Sequence, residues 1–481
     1  ASINEIKNKT KDILALYDRN VEAGAGANGW TDVLVRTQYN RTMRDKLAEF
    51  VSVKDFGAVG DGVTDDTGAF NRAITYINDK LNVNMHTPKG HYKVGELIPI
   101  ESRTFSLIGA GSANSIIESS RVGGAAISID AWTNAGVVGS TARPFISASQ
   151  IGGFRVIAPQ ATTLLYARGV ARSSFKDIRL NGTNRSVGTK GLDVASTQLC
   201  YFENIYVAYP DGDTPENGIF ISNAPRYLTA EGASISGGLP SNNTFVNVYP
   251  EGCDYGIMLA NGDQNTFIGG SPEASKKRSL TVGSNCKYNT FIGMGFESKD
   301  ATGGEISDAG KYTKYINCYA SNINAVTLYG RGTVIDGGYY QKITLSAAST
   351  GCSVGNITVG HWYESVGDNG GVVITAGAKG ARFKNIYSSP LGKYIYPNNP
   401  RYGVTPTASP FEWENLDGVP VKFILIDGTT TQVMIKRGTD SWLETVPPAS
   451  GRTVYSLLAG DKIVVSYSVA PTINVIPQNG V

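Results

Sequence analysis

The chain has 481 residues, a formal net charge of +2, 57 glycines and 25 tyrosines, and only 17% of its residues are charged. A charge this close to zero predicts neither a nucleic-acid partner nor attraction to an anionic membrane surface. The aromatic content argues against disorder, the glycine content argues against a helical bundle, and no apolar run is long enough to cross a membrane. We therefore predict a β protein with many tight turns.

The five cysteines form no CxxC pair, and none of the three histidines stands at ligand spacing to a cysteine. Such widely spaced cysteines indicate free thiols that pack as small apolar side chains. We expect no metal site and no cofactor.

Residues 1–50 are predicted to form a helical stem or neck. Ile3, Ile6, Thr10, Ile13 and Tyr17 follow alternating steps of three and four residues, which is a heptad pattern. Fewer than three heptads do not stabilise an isolated helix. The helix could therefore lie on its own domain or form a short oligomerisation stem.

Residues 51–404 repeat one pattern, in which an apolar, usually aromatic residue is followed two positions later by Asn, Asp or Gly. The repeat is roughly 20 to 30 residues long with one longer step, which is typical of a solenoid. Asn, Asp and Gly tolerate a left-handed backbone, so each second position predicts a sharp bend. The leading residues are Phe175, Phe202, Phe245, Phe267, Phe291, Tyr315, Val334, Val354 and Phe383. The pattern favours a single-stranded parallel β-helix with coils about 4.8 Å apart.

Side chains alternate along a strand, so the leading residue points inwards while positions +1, +4 and +6 point outwards. An outward apolar row marks a partner surface. We predict a subunit interface here, although the row could instead face a loop of the same chain. The row at position +1 comprises Val246, Ile268, Ile292, Ile316 and Ile335.

Residues 405–481 follow a linker-like stretch, TPTASP, and alternate apolar with polar residues. The alternation predicts a small antiparallel β domain. Such a domain could trimerise the chain, bind glycan or cap the solenoid.

Residues 53–67 read VKDFGAVGDGVTDDT and are followed by Ala69, Phe70 and Ala73 on a predicted helix. This stretch resembles the opening of the pectate-lyase-like superfamily of right-handed β-helix proteins, in the form found in bacteriophage tailspikes and capsule depolymerases. The resemblance implies a homotrimeric virion protein that joins the phage tail or baseplate through a further N-terminal region. It also implies action outside the cell on a bacterial surface polysaccharide. Asp61, Asp65 and Asp66 belong to the capping turn in this interpretation.

Two departures from the superfamily narrow the chemistry. The polygalacturonase signatures Asn-Thr-Asp, Gly-His-Gly and Arg-Ile-Lys are missing, and no aspartate cluster maps onto the calcium site of pectate lyases. Pectin hydrolysis and calcium-assisted elimination are therefore disfavoured.

Three glutamates occupy position +6 of successive coils: Glu251, Glu273 and Glu297. Coils about 4.8 Å apart would bring the carboxylates near the separations that retaining or inverting glycosidases use. Crowded carboxylates disfavour joint ionisation, so one would stay protonated as the general acid. We assign that role to Glu273, with Glu251 or Glu297 as base or nucleophile. The glutamates could instead form a structural or binding ladder.

Aromatic and charged residues around the glutamates suit a sugar polymer, because aromatic faces pack against apolar sugar faces. An acidic loop with Asp211, Asp213 and Glu216 could supply an alternative partner acid. The candidate substrate-binding residues are Tyr206, Tyr249, Asp254, Tyr255, Asp263, Lys276, Lys277, Arg278, Tyr319, Trp362 and Tyr363.

The sequence thus predicts an endo-acting glycoside hydrolase that depolymerises a capsule, an exopolysaccharide or an O-antigen. A polysaccharide lyase that works by β-elimination in the same groove is one alternative. A receptor-binding adhesin without catalytic activity is the other.

Overall fold

The structure of the protein is a computed structural model. It describes residues 50–477 except 81, 134–136, 140–143, 183–187, 209–213, 298–304, 321–325, 361–370, 376–377, 379, 390–392, 396–401, 416–419, 439, 441, 446–451 and 459. The predicted stem over residues 1–50 lies outside the described residues except at its last position.

A short cap opens the described chain. It consists of a 3-10 helix, Val53–Phe56, a strand, Asp61–Asp65, and an α-helix, Thr67–Asp79. The α-helix buries Phe70, Ile74 and Ile77 on one face. The Asp66 carboxylate accepts hydrogen bonds from the backbone of Val59 and Gly60 at 2.7 and 3.0 Å, so it holds the glycine-rich turn. Asp66 of the acidic motif therefore has a structural role in the cap.

Two large sheets build the body of the protein. The first, which we call the long sheet, has 18 strands, and the second sheet has 10. Successive coils pair in parallel. The strands of the long sheet are Phe50–Ser52, Asp61–Asp65, Val83–Thr87, Gly90–Val94, Phe105–Gly109, Ser115–Ser119, Gln150–Ile157, Ser174–Asn181, Tyr201–Ala208, Thr244–Pro250, Thr266–Gly270, Thr290–Ile292, Gly295–Phe296, Lys314–Ala320, Val334–Tyr340, Ser353–Val359, Arg382–Ser388 and Lys393–Ile395. Those of the second sheet are Ala125–Asp130, Thr163–Arg168, Lys190–Ala195, Asn217–Ser222, Tyr255–Leu259, Arg278–Val282, Ile306–Asp308, Val326–Leu328, Ile343–Leu345 and Val372–Ile374. The predicted right-handed parallel β-helix is confirmed.

Stacked side chains fill the interior of the coil. Six rings, one from each of six successive coils, stack with centroids 4.4 to 5.1 Å apart. The six are Phe175, Phe202, Phe245, Phe267, Phe291 and Tyr315. A spacing this close to that of the strands means that each ring packs on its own rung. The five cysteines are free and buried, as predicted.

The predicted bends follow the leading residues. Asp177, Asn204, Asn247, Gly269, Gly293, Asn317, Asn356 and Asn385 have φ between 50 and 60°. One coil departs from the predicted register, because Ile335 pairs with Tyr315 and is buried, while Asp336 pairs with Ile316. The bend there is Gly337, with φ 73°. Ile335 is therefore an inward residue, and its predicted place in the outward apolar row was wrong.

Two antiparallel sheets of four strands each follow the β-helix. One contains Tyr402–Val404, Val421–Ile426, Arg452–Leu457 and Thr472–Pro477, and the other contains Phe411–Glu414, Thr429–Lys436, Leu443–Thr445 and Lys462–Val469. They share a separate apolar core around Phe423, Val465 and Val475. Two further strand pairs, Ile146–Ser147 with Val170–Ala171 and Pro225–Leu228 with Ser234–Ser236, decorate the coil. The division at residues 50 and 404 stays a prediction.

Candidate active site on the long sheet

The three predicted glutamates stand on consecutive rungs at one corner of the coil. Glu251 and Glu273 form a parallel bridge. The Glu273 amide donates to the Pro250 carbonyl at 2.9 Å, and the Glu297 amide donates to the Pro272 carbonyl at 3.0 Å. The same step therefore separates each glutamate from the next, and the three form a file that we call the glutamate file.

A buried residue precedes each glutamate. Pro250, Pro272 and Phe296 point into the core. Because side chains alternate along an extended backbone, the next residue must face outwards. Glu251 and Glu297 are exposed, and the central Glu273 is half-buried.

The central carboxyl group differs electrostatically from its neighbours. Partial burial raises the pKa of Glu273, and the charges of Glu297 and Glu251 raise it further. Both effects disfavour the ionised form. Glu273 is therefore the member of the file best suited to carry a proton, and the outer glutamates are better suited to act as carboxylates.

Tyrosines form an outward row beside the glutamate file. Tyr206 stacks on Tyr249 with centroids 4.8 Å apart, and Tyr319 stacks on Tyr339 at 5.5 Å. The two rungs between these pairs carry Ser271 and Gly295 at the equivalent position. Two small residues thus separate the two aromatic pairs on the rungs that carry Glu273 and Glu297.

The predicted cations do not contact the glutamate file. Lys277 forms an ion pair with Asp254 at 3.0 Å, and its ammonium lies 5.4 Å from the Tyr255 ring centroid. Arg278 is the first residue of the next strand of the second sheet, where it lies opposite Tyr255 in the backbone pairing of the strands. The backbone amide of Lys276 donates to the Cys253 carbonyl. Asp254, Tyr255 and Lys277 are thus brought together, but beside the second sheet.

The remaining predicted residues lie apart. Asp263 occupies a different corner, where it bridges to Ser241 and Lys287. Glu216 accepts a hydrogen bond from the Gly188 amide at 2.6 Å. Trp362, Tyr363, Asp211 and Asp213 lie outside the described residues.

Sequence reasoning missed two ion pairs on the second sheet. Arg168 binds Asp130 through two hydrogen bonds of 2.7 and 2.6 Å, and Lys190 binds Asp193 at 2.6 Å. Burial raises the pKa of Asp193, while the charge of Lys190 opposes that effect. Aligning the second-sheet strands by register would have shown that these charges share neighbouring rungs.

Within the described ranges, no group of three or more His, Cys, Asp or Glu residues has a geometry that could hold a metal ion. No helix in the same ranges is long and apolar enough to cross a membrane.

Known proteins resemble parts of the chain in sequence. The family model for rhamnogalacturonase A/epimerase, pectate-lyase-like, matches residues 50–303, which is more than half of the chain. A stretch of 75 residues is 43% identical to the preneck appendage protein of Bacillus phage PZA. That stretch is 15% of this chain and 8% of the appendage protein, so the chain matches a small part of that relative.

Solved structures with low sequence identity align over most of the chain. The protein ORF18 of Geobacillus virus E2 is 16% identical with a TM-score of 0.48, over 91% of this chain and 80% of that one. The Dettilon tailspike protein is 13% identical with a TM-score of 0.43, over 94% and 98% of the two chains.

Proposed function

Since the chain belongs to the rhamnogalacturonase A/epimerase family of pectate-lyase-like proteins, we propose that it is an endo-acting glycoside hydrolase of a bacteriophage tail. In this proposal the protein sits on the virion and cleaves a polysaccharide of the host surface. The match to the preneck appendage protein supports the phage origin.

The observation that carries the proposal is the glutamate file, with its central carboxyl group biased toward the protonated form. Adjacent rungs are about 4.8 Å apart, close to the carboxyl separation of retaining glycosidases. Glu273 would donate its proton to the glycosidic oxygen as that bond breaks. The carboxylate of Glu251 or Glu297 would attack the anomeric carbon, and a water activated by Glu273 would then release the sugar.

Charge around the file supports hydrolysis over β-elimination. A lyase must stabilise the carboxylate of a uronic acid while a proton leaves the neighbouring carbon, and cationic side chains suit that task. Lys277 is held by Asp254, and no described cation forms an ion pair with Glu251, Glu273 or Glu297. A neutral sugar at the cleavage point is the better electrostatic match for the glutamate file.

Cleavage of capsule, exopolysaccharide and lipopolysaccharide preparations tests the proposal. Glu273→Gln keeps the shape of the side chain but cannot shuttle the proton, so we expect cleavage to fall at least about 100-fold. Size-exclusion chromatography with a reducing-end assay would measure it. Glu203→Gln is the matched control, because Glu203 faces outwards on the same sheet but pairs with Lys176 at 3.1 Å.

The products separate the competing functions. New reducing ends without ultraviolet absorbance from an unsaturated sugar support the hydrolase, whereas that absorbance would show a lyase. Binding without shortening on every preparation would show an adhesin. Full cleavage by Glu251→Gln, Glu273→Gln and Glu297→Gln alike would remove the glutamate file from the mechanism.

A further inference from the structure

A second file of charged side chains runs along a different corner, where the chain enters the long sheet. Lys287 bridges to Lys311, and Lys311 bridges to Arg331. These three residues, which we call the cationic file, are all exposed and stand on consecutive rungs. Asp263 precedes them in the bridge series and Thr350 follows.

No carboxylate is bonded to the cationic file in the described part of the chain. None of the three side chains forms an ion pair or a hydrogen bond with a described residue. Asp263 is the neighbour on the preceding rung, yet it makes no ion pair with Lys287. Like charges at rung spacing repel one another, so the fold keeps an arrangement that an anionic ligand would relieve.

An exposed aromatic pair lies directly beside the cationic file. Tyr288 and Tyr312 follow Lys287 and Lys311 in the sequence, and their rings stack at 5.0 Å with an interplanar angle of 8°. Their exposed fractions are 52% and 36%. Tyrosine rings so exposed form a flat platform for a partner, since burial does not account for them.

The backbone under both tyrosines is left-handed, with φ of 57° at Tyr288 and 59° at Tyr312. Every coil bends in this way here, and the equivalent position holds Arg172, Leu199, Asn242, Gln264, Gly332 and Gly351 on other coils. Asn and Gly adopt this conformation readily, whereas a bulky aromatic residue is strained in it. The left-handed conformation therefore belongs to the turn, and at the tyrosines it costs backbone energy that Asn or Gly would avoid.

We propose that the cationic file and the Tyr288–Tyr312 pair form a binding site for a linear anionic polysaccharide. A regular row of cations matches carboxylate or sulfate groups repeated along a polymer, and the tyrosine faces match the sugar rings. This binding site and the glutamate file lie at different corners of the coil. The site would therefore bind the polymer whether or not the glutamate file cleaves that polymer. Its role would be to hold a charged chain on the coil independently of cleavage.

Binding to alginate, polygalacturonate and heparin tests the site, with dextran as a neutral polymer. The full chain carrying Lys287→Gln, Lys311→Gln and Arg331→Gln together should bind the acidic polymers about tenfold more weakly by biolayer interferometry. Lys54→Gln, Lys80→Gln and Lys422→Gln remove three exposed charges elsewhere and should leave the affinity unchanged. Wild-type binding should weaken as salt is added.

The tyrosine pair permits a test that separates binding from folding. Tyr288→Asn with Tyr312→Asn places a residue that tolerates the left-handed bend at both positions. We expect an equal or higher melting temperature together with about tenfold weaker binding of the acidic polymers.

The outcomes bear on this site separately from the proposed hydrolase. Glu273→Gln should retain acidic-polymer binding, even if it abolishes cleavage. Wild-type protein that binds none of the three acidic polymers would overturn the proposal. The proposal would also be overturned by equal losses of affinity in the variant of the cationic file and in the control variant, or by unchanged affinity in the tyrosine variant. It would be overturned too if the variant of the cationic file changed the oligomeric mass of the protein and not its affinity for the polymers.

Discussion

Asp308 shows how one buried carboxyl group can tune the stability of the coil. It is fully buried in the second sheet, and burial raises its pKa to about 6. The Gly310 amide donates to it at 2.7 Å, and the hydroxyls of Thr313, Thr333 and Tyr315 each lie at 3.3 Å. These hydrogen bonds favour the ionised form but do not outweigh the burial.

We expect the stability of the protein to fall as pH rises through about 6. The folded carboxyl holds its proton more tightly than the unfolded one, whose pKa is near 3.8. Its contribution is therefore fully present below about pH 4 and is lost above pH 6, with a size of roughly 3 kcal/mol. Asp308→Asn is neutral at every pH and should raise the melting temperature at pH 8 more than at pH 4.

Asp336→Asn is the control for that measurement. Asp336 is exposed and accepts a hydrogen bond from Asn356 at 2.7 Å, which an asparagine can still accept. The control should change stability by less than about 0.5 kcal/mol. An Asp308→Asn variant with the same pH dependence as the wild type would show that Asp308 is not the titrating group.

Among the repeated elements, a buried asparagine ladder links successive coils. Asn243 donates its amide to Asn265 at 2.9 Å, and Asn265 donates to Asn289 at 3.0 Å. Asn265 also donates to the Pro240 carbonyl at 3.1 Å. All three asparagines are buried, so the ladder satisfies polar groups that water does not reach.

Asn265→Ala should destabilise the protein by about 1–3 kcal/mol for each buried group left without a partner. Thermal unfolding would measure the loss as a lower melting temperature. Asn261→Ala removes a similar bond to Asn223, at 3.1 Å, from an exposed position and should cost much less. Equal losses in the two variants would mean that the ladder adds nothing beyond an ordinary surface hydrogen bond.

The sequence predicted the repeated elements wherever residue type fixed the backbone. Asn204 and Asn247 marked left-handed bends, and the aromatic residue before each marked the core. Register failed at residues 334–337, because Val334 and Ile335 are both apolar and either Asp336 or Gly337 could form the bend. A period of two residues cannot decide between neighbours of the same type.

The candidate site was predictable for the same reason that the core was. Counting six positions from each aromatic residue reached Glu251, Glu273 and Glu297. Counting backwards by four from Phe291 and Tyr315 would have reached Lys287 and Lys311. Arg331 would have been missed, because the predicted leading residue of that coil was Val334 in place of Ile335. The left-handed tyrosines were out of reach, because no local preference predicts Tyr288 or Tyr312 in that conformation.

At the scale of the whole molecule, the corrected apolar row still predicts a subunit interface. Val246, Ile268, Ile292 and Ile316 occupy one outward position on four rungs, and 39% of Ile268 is exposed. Charges at the equivalent position end the row, with Glu203 on one side and Asp336 on the other. The homotrimer stays a prediction.

Ile268→Lys should weaken the trimer, because it places a charge in the middle of the row without a partner. Sedimentation velocity of the full chain would show a shift from trimer toward monomer. Val63→Lys is the control, since 81% of Val63 is exposed in the cap. A monomeric wild type would contradict the homotrimer, and a trimeric Ile268→Lys variant would move the interface away from this row.

Because each file takes one residue from each coil, the length of a file changes only when a whole coil is added or removed. Deleting residues 267–290 would join Thr266 to Phe291. On the next coil, Phe291 already occupies the position that Phe267 has on its own coil. The shortened chain would lose Glu273, Lys287 and Tyr288 together and still offer Phe245 a ring to rest on. Duplication or loss of one such unit in the gene would thus change the length of the β-helix by one coil and leave its architecture intact.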